Sequence, residues 1–259
     1  MPQGEKSGIM GKARYMAPEI VAGGVPDKYS DRFSLSVILF MLFYANHPFE
    51  GAKVVACPCM TETFEKKFYG TEAVFIYDPS DKSNLPVRGI HQNVIRRWPA
   101  FPAKLREIFM QEFSQEKLKN PNTRMIESQW KKLIAGIRDS LVRCPKCGEE
   151  TFIEDNHKCM DCGTDIDVSR RLKMGTRSVM LTKGTKVYID NDNIPDAEIV
   201  VHPNDPSKIL LKNLSKDNWT AETPSGKIKT VAPGDMMPVN PGIKIAFSNA
   251  YKGEFTTEN

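Results

Sequence analysis

The alternation of hydrophobic and polar positions divides the chain into three stretches of different period. Residues 1–141 carry helical spacing. The longest apolar run, Phe33 to Ala45, covers 13 residues and is broken only by two serines. It is apolar nearly all round, which predicts a buried helix. Ser30-Asp31 stands just before it. His47-Pro48 follows it, and a proline there cannot continue a helix. Thr61 to Tyr69 predicts a second, short helix stopped by Gly70, and Ala73 to Pro79 an extended run entering a turn. Leu105, Ile108, Phe109 and Phe113 fall on one helical face, as do Trp130, Leu133, Ile134, Ile137 and Leu141, so helices are expected over 102–113 and 126–141.

Residues 142–168 hold four cysteines. From 176 onward the period shortens. Ser178–Leu181, Lys186–Ile189, Glu198–Val201, Lys208–Leu211, Trp219–Glu222, Lys227–Val231 and Ile243–Phe247 are short strand-like runs separated by Pro, Gly, Asn and Asp clusters. Strands at this spacing predict an all-β sandwich over 176–259. Residues 169–175 read as a linker. The fold expected is therefore multidomain: a helical part at 1–141, a small four-cysteine module at 142–168, and the sandwich.

Composition adds limits. A chain of 259 residues with 40% hydrophobic and 26% charged residues is that of a soluble multidomain protein. Collagen-like, disordered and disulfide-dense secreted classes are excluded. The longest apolar run falls short of the roughly 20 residues that span a bilayer. No apolar segment follows Met1-Pro-Gln-Gly-Glu-Lys6, as a secretory signal would require. The expected location is the cytoplasm, with no membrane partner. The net charge is +4, and residues 141–175 carry 6 Lys+Arg against 7 Asp+Glu. Basic residues come as pairs such as Lys66-Lys67, Arg96-Arg97 and Lys131-Lys132. Phosphate contacts need clustered Lys and Arg, so nucleic acid is not an expected partner.

Cys144-Pro-Lys-Cys147 and Cys159-Met-Asp-Cys162 are two C-x2-C knuckles, each followed by a glycine, Gly148 and Gly163. Each knuckle can place two thiolates on one tetrahedral Zn²⁺. Glycine after the second cysteine permits the positive φ of the turn. This is the pattern of a zinc ribbon, and four thiolates close the site, so the expected zinc is structural. In a chain expected in the cytoplasm, disulfides are a poor alternative. His157 stands two residues before Cys159 and reads as a loop residue. Cys57-Pro-Cys59 has no partner knuckle and reads as a pair of loop or helix-end thiols.

Gly11-Lys-Ala-Arg-Tyr-Met-Ala-Pro-Glu19 resembles the end of the activation segment of Ser/Thr protein kinases, with Ala17-Pro18-Glu19 as the A-P-E motif. Asp31-Arg-Phe-Ser-Leu-Ser36 is similar to the start of that family's central helix. His47-Pro-Phe-Glu-Gly51 is similar to the P-F-x-G after it, and Asn120-Pro-Asn-Thr-Arg124 to the late D-P-x-x-R. The resemblance covers residues 8–141. It implies a structural ion pair between Glu19 and Arg124. It also implies that Asp31 is the helix-start carboxylate that holds the catalytic-loop backbone in the family; at the least, a carboxylate there is favoured by the helix dipole. Departures are Lys12 for a usual Thr, Ser36 for Gly and Asn120 for Asp.

The sequence contains no Gly-rich loop, H-R-D-x-x-x-x-N or D-F-G. Phosphoryl transfer rests on the groups in those motifs, which position ATP and Mg²⁺. No catalytic residue and no ATP or Mg²⁺ ligand is therefore assigned. The expectation is the C-terminal part of a bacterial-type kinase, truncated and inactive alone. Its expected partners are proteins or a missing kinase N-terminal portion. The alternative is a non-catalytic scaffold that docks partners through the zinc ribbon and the sandwich.

The C-terminal stretch resembles the forkhead-associated family at Val231-Ala-Pro-Gly-Asp-Met-Met-Pro238, as its late turn, and at Ile243–Phe247, as its final strand. Gly175-Thr-Arg177 is the nearest match to that family's phosphothreonine-reading Gly/Arg pair, and its Ser-x-x-His has no match.

Overall fold

The computed structural model describes residues 11–153, 157–190 and 193–257; residues 1–10, 154–156, 191–192 and 258–259 lie outside the described residues. The chain forms two compact units, Met1–Lys131 and Lys132–Asn259. The division falls inside the last helix, ten residues before the boundary expected at 141. No helix among the described residues is long and apolar enough to cross a membrane.

The first unit is helical: α1 (Pro18–Val21), α2 (Lys28–Tyr44), α3 (Ala52–Val55), α4 (Glu62–Lys66), α5 (Gln92–Arg97), α6 (Ala103–Glu112), α7 (Gln115–Lys119) and the start of α8 (Glu127–Asp139). Helix α2 begins earlier than its apolar run suggests, because Asp27 caps it. The Asp27 carboxylate accepts from the N–H groups of Tyr29 at 2.8 Å and Ser30 at 2.9 Å, while Ser30 Oγ accepts from Asp27 N–H at 2.9 Å. This reciprocal box satisfies orphan donors at the helix start. Asp31 is thus not the first residue of the helix; it stands exposed in its first turn.

Burial on α2 is one-sided, which corrects the expectation of a helix buried all round. Phe33, Val37, Phe40 and Tyr44 are buried, whereas Ile38 and Leu42, one turn apart, are exposed. The buried face enters an aromatic cluster. Phe40 has ring centroids of Tyr44, Phe75, Phe109 and Phe113 within 4.8–5.9 Å, and Phe109 lies 5.2 Å from Trp130. Edge-to-face contacts of this kind add to the burial of apolar area.

The turn His47-Pro-Phe-Glu-Gly51 is fixed by buried Asn84. Its amide donates to Phe49 O at 2.9 Å and Val74 O at 2.7 Å, and its Oδ1 accepts from Lys53 N–H at 3.1 Å. Only glycine fits at 51, since a Cβ there would sit 1.9 Å from Asn84 O.

The second unit is antiparallel β. Strands β1 (Leu141–Arg143) and β2 (Glu150–Phe152) form a hairpin. A six-stranded sheet contains β3 (Arg170–Met174), β4 (Arg177–Met180), β8 (Trp219–Glu222), β9 (Ile228–Val231), β11 (Lys244–Ala246) and β12 (Lys252–Thr257), in the order β4-β3-β12-β11-β8-β9. A four-stranded sheet contains β5 (Lys186–Val187), β6 (Ala197–His202), β7 (Asp205–Asn213) and β10 (Met236–Pro238), in the order β10-β7-β6-β5. Both sheets contribute to one core, with Leu172, Trp219, Ile245 and Phe255 from the first and Ile199, Leu211 and Met237 from the second.

Two expectations are corrected here. Residues 169–175 are not a linker: β3 occupies 170–174 and pairs on both sides, with Leu172 fully buried. Its flanking Arg171 and Lys173 point its sequence toward a polar reading, yet a period-two strand buries only the alternate position. The last strand is β12, not Ile243–Phe247. It lies inside the sheet between β11 and β3.

Candidate metal centre

The hairpin β1–β2 carries the first knuckle, and the turn closed by the Lys158–Asp165 bridge carries the second. The two are built alike. In the first, Cys144 N–H donates to Glu149 O at 2.9 Å and Gly148 N–H to Cys144 O at 3.0 Å. In the second, Cys159 N–H donates to Thr164 O at 2.8 Å and Gly163 N–H to Cys159 O at 2.9 Å. Gly148 and Gly163 have φ of +79° and +69°, and a Cβ at either would meet nothing within 4 Å. Their requirement is therefore conformational.

The sulfurs of Cys144, Cys147, Cys159 and Cys162 all lie within 4.8 Å of one another. Cys144–Cys162 and Cys147–Cys159 are each 3.6 Å apart. Four thiolates about 2.3 Å from a central zinc have edges of about 3.8 Å, so the cluster fits a tetrahedral Cys₄ site. The electrostatics agree. The Cys147 backbone N–H, with help from Lys146, holds Cys144 below the ordinary thiol range. The Thr164 hydroxyl and N–H pull Cys162 down to about 6. At Cys147 the Glu149 N–H lowers the pKa, but burial and the three neighbouring sulfurs outweigh it and push it up to about 12. Four adjacent thiols cannot all ionise unaided, and a dication removes that conflict. His157 is exposed, with a left-handed φ of 49°, and is not part of the cluster.

The site is roofed by its own small core. Val142, Cys144, Ile153, Cys159, Ile166 and Val168 pack together with Met180 of β4. A metal at the four sulfurs would organise the hairpin and buttress the first strand pair of the six-stranded sheet.

In the helical unit, Arg124 meets Glu19 in a two-pronged pair. Nη1 donates to Oε1 at 2.7 Å and Nη2 to Oε2 at 2.9 Å, while Nη1 also donates to Tyr29 O at 3.0 Å. The guanidinium lies over the Phe33 ring at 5.2 Å. The Arg124 side chain is 1% exposed and that of Glu19 31%. His47 ties the same region together: its Nε2 donates to Arg14 O at 2.5 Å, and its Nδ1 accepts from Phe49 N–H at 3.2 Å. The bond accepted at Nδ1 needs the neutral, Nε2-protonated imidazole, and burial lowers the pKa of His47 to about 4.

Arg177 was legible only as half of a Gly/Arg pairing. In the structure its Nε and Nη2 donate to Asp139 at 2.8 and 2.9 Å, and its Nη1 and Nη2 to Ile189 O at 2.9 Å and Tyr188 O at 2.7 Å. Its donors are committed inside the unit and do not form an open phosphate-reading fork. Comparison of the chain with protein-family models, with curated proteins and with solved structures finds no match.

Proposed function

We propose that residues 11–131 are the substrate-side portion of a large lobe of Ser/Thr-kinase type, and that this chain acts by docking proteins and does not itself transfer phosphate. A zinc ribbon and a β-sandwich are its further modules. The observation that carries the reading is the Glu19–Arg124 pair. It joins the A-P-E-like segment to the N-P-x-x-R-like segment 105 residues away, with the two-pronged geometry that a guanidinium and a carboxylate favour.

The family activity is ATP-dependent phosphorylation of proteins. These 259 residues contain no Gly-rich loop, H-R-D-x-x-x-x-N or D-F-G motif. The positioning of nucleotide and Mg²⁺ on which that chemistry depends must then come from outside these residues, from a kinase N-terminal portion or from a protein partner that carries those groups. The ribbon zinc has no role in such chemistry, because four thiolates leave no open coordination position.

The test is phosphate transfer from labelled ATP–Mg²⁺ to a general protein acceptor by the purified chain. The reading expects incorporation no higher than in the acceptor alone. Incorporation proportional to enzyme, retained through repurification, would overturn it.

A further inference from the structure

We propose that the outer face of the six-stranded sheet docks a second copy of this chain, the two copies being related by a two-fold axis that runs parallel to the strands, above the gap between β11 and β12.

Residues along the strands of that sheet alternate between its faces. Leu172, Phe255, Ile245 and Ala221 point into the core, so the residues between them point outward. The strand pairing sets four of these outward residues side by side. Lys173 of β3 stands opposite Glu254 of β12, Glu254 opposite Lys244 of β11, and Lys244 opposite Glu222 of β8. All four are exposed. The row across the sheet is therefore Lys-Glu-Lys-Glu. Among the described residues, Glu222, Lys244 and Glu254 enter no ion pair, so their charges are open to a facing surface.

An alternating row with an even number of members matches itself when turned end for end. The proposed axis lays Lys173 over Glu222 of the second copy and Glu254 over Lys244 of the second copy, and the reverse contacts follow by symmetry. An axis moved onto β11 or β12 would lay like charges over one another, and an axis along the row would lay Lys over Lys; both arrangements are costly. The twist of the sheet is no obstacle. A uniformly twisted sheet is a saddle, and a two-fold axis along its strands carries it onto the same saddle at constant separation. Sheets stacked in this way lie about 10 Å apart, a gap that a lysine and a glutamate reaching from opposite sides can close.

The next row matches in size. Lys252 of β12 stands opposite Ala246 of β11, and Ala246 opposite Thr220 of β8. These three residues help line a groove of about 500 Å³ on this face. The same axis lays Lys252 of each copy over Ala246 of the other, a long side chain over a short one.

The experiment is sedimentation equilibrium of the zinc-loaded full chain. The expected result is a reversible dimer at micromolar concentration in low salt, which dissociates at about 1 M salt, where the screening length is roughly 3 Å. Lys244→Glu and Glu254→Lys should each weaken the dimer by about a hundredfold, since each brings like charges face to face. An equal mixture of the two variants should dimerise about as well as the parent, because the new glutamate of one then faces the new lysine of the other. Both variants should keep the parent's zinc content and a cooperative melt, since both side chains are exposed. The proposal is overturned if the parent stays monomeric up to submillimolar concentration in low salt, if either variant dimerises as the parent does, or if the mixture dimerises no better than its components.

Discussion

Arg177 and Asp139 are joined by two parallel hydrogen bonds of 2.8 and 2.9 Å, linking the last residue of α8 to the first residue of β4 within the second unit. The Asp139 side chain is 5% exposed and that of Arg177 19%. The pair is further held by the Tyr188 and Ile189 carbonyls, and Arg138 lies over the Tyr188 ring at 3.9 Å. Breaking one side of such a pair strands a buried charge, which costs roughly 3–5 kcal/mol. Arg177→Ala should lose stability on that scale in urea unfolding. Arg177→Lys should recover little of it, because an ammonium cannot make the parallel fork. Near-parent stability of the alanine variant would show that the pair contributes only surface charge.

The Glu19–Arg124 pair is unequal in burial, and that sets the order of its variants. Removing Glu19 leaves a buried guanidinium with the Tyr29 carbonyl as hydrogen-bond acceptor and the Phe33 ring beneath it, and no counter-charge in this pair. Removing Arg124 leaves a carboxylate that solvent can reach. Glu19→Ala should therefore destabilise the helical unit by about 3 kcal/mol, more than Arg124→Leu, where an apolar side chain also fills space beside Phe33. Urea midpoints at constant slope would check the order; the reverse order contradicts the account of burial.

His47 should give stability a pH dependence. Its folded pKa is lowered to about 4 from 6.5 by burial. Between those values the unfolded chain binds the proton and the folded one does not. The contribution is complete above about pH 6.5, falls as the pH drops toward about 4, and changes no further below it, for a total of about 3 kcal/mol. Unfolding free energies of the parent and His47→Gln across this range should differ in slope, with the parent the steeper. Parallel curves would mean that His47 is not buried as a neutral imidazole.

The ribbon makes a direct metal prediction. Native mass spectrometry of the reduced chain should show one zinc, and Cys162→Ser should lose it. Because the knuckle core includes Met180 of β4, a strong chelator should also lower the melting temperature of the β unit, as metal binding adds its free energy to folding. A chain that keeps its melting curve after complete zinc removal would separate the cluster from the sheet.

How much of this was readable in the sequence varies by residue. The two knuckles were, because ligand chemistry and turn conformation demand Cys and Gly at fixed spacing, and Cys144, Cys147, Cys159 and Cys162 converge. Trp219–Glu222 matched its strand to the residue, since a clean alternation buries Trp219 and Ala221. Strand β3 was hidden because Leu172 is its only buried residue among basic neighbours. Strand β12 was hidden for the same reason, with Phe255 alone buried between polar residues. The start of α2 was set by Asp27, a polar residue outside the apolar run. Asn84 and Arg177 act through partners distant in sequence, and nothing in the local pattern announces such contacts.

The central claim concerns the nucleotide. Thermal melts of the zinc-loaded chain with and without ATP–Mg²⁺ at a concentration far above typical kinase affinities test it most directly, since a ligand bound only by the folded state must raise the melting temperature. The account predicts superimposable curves. A saturable upward shift that requires both ATP and Mg²⁺ would contradict it.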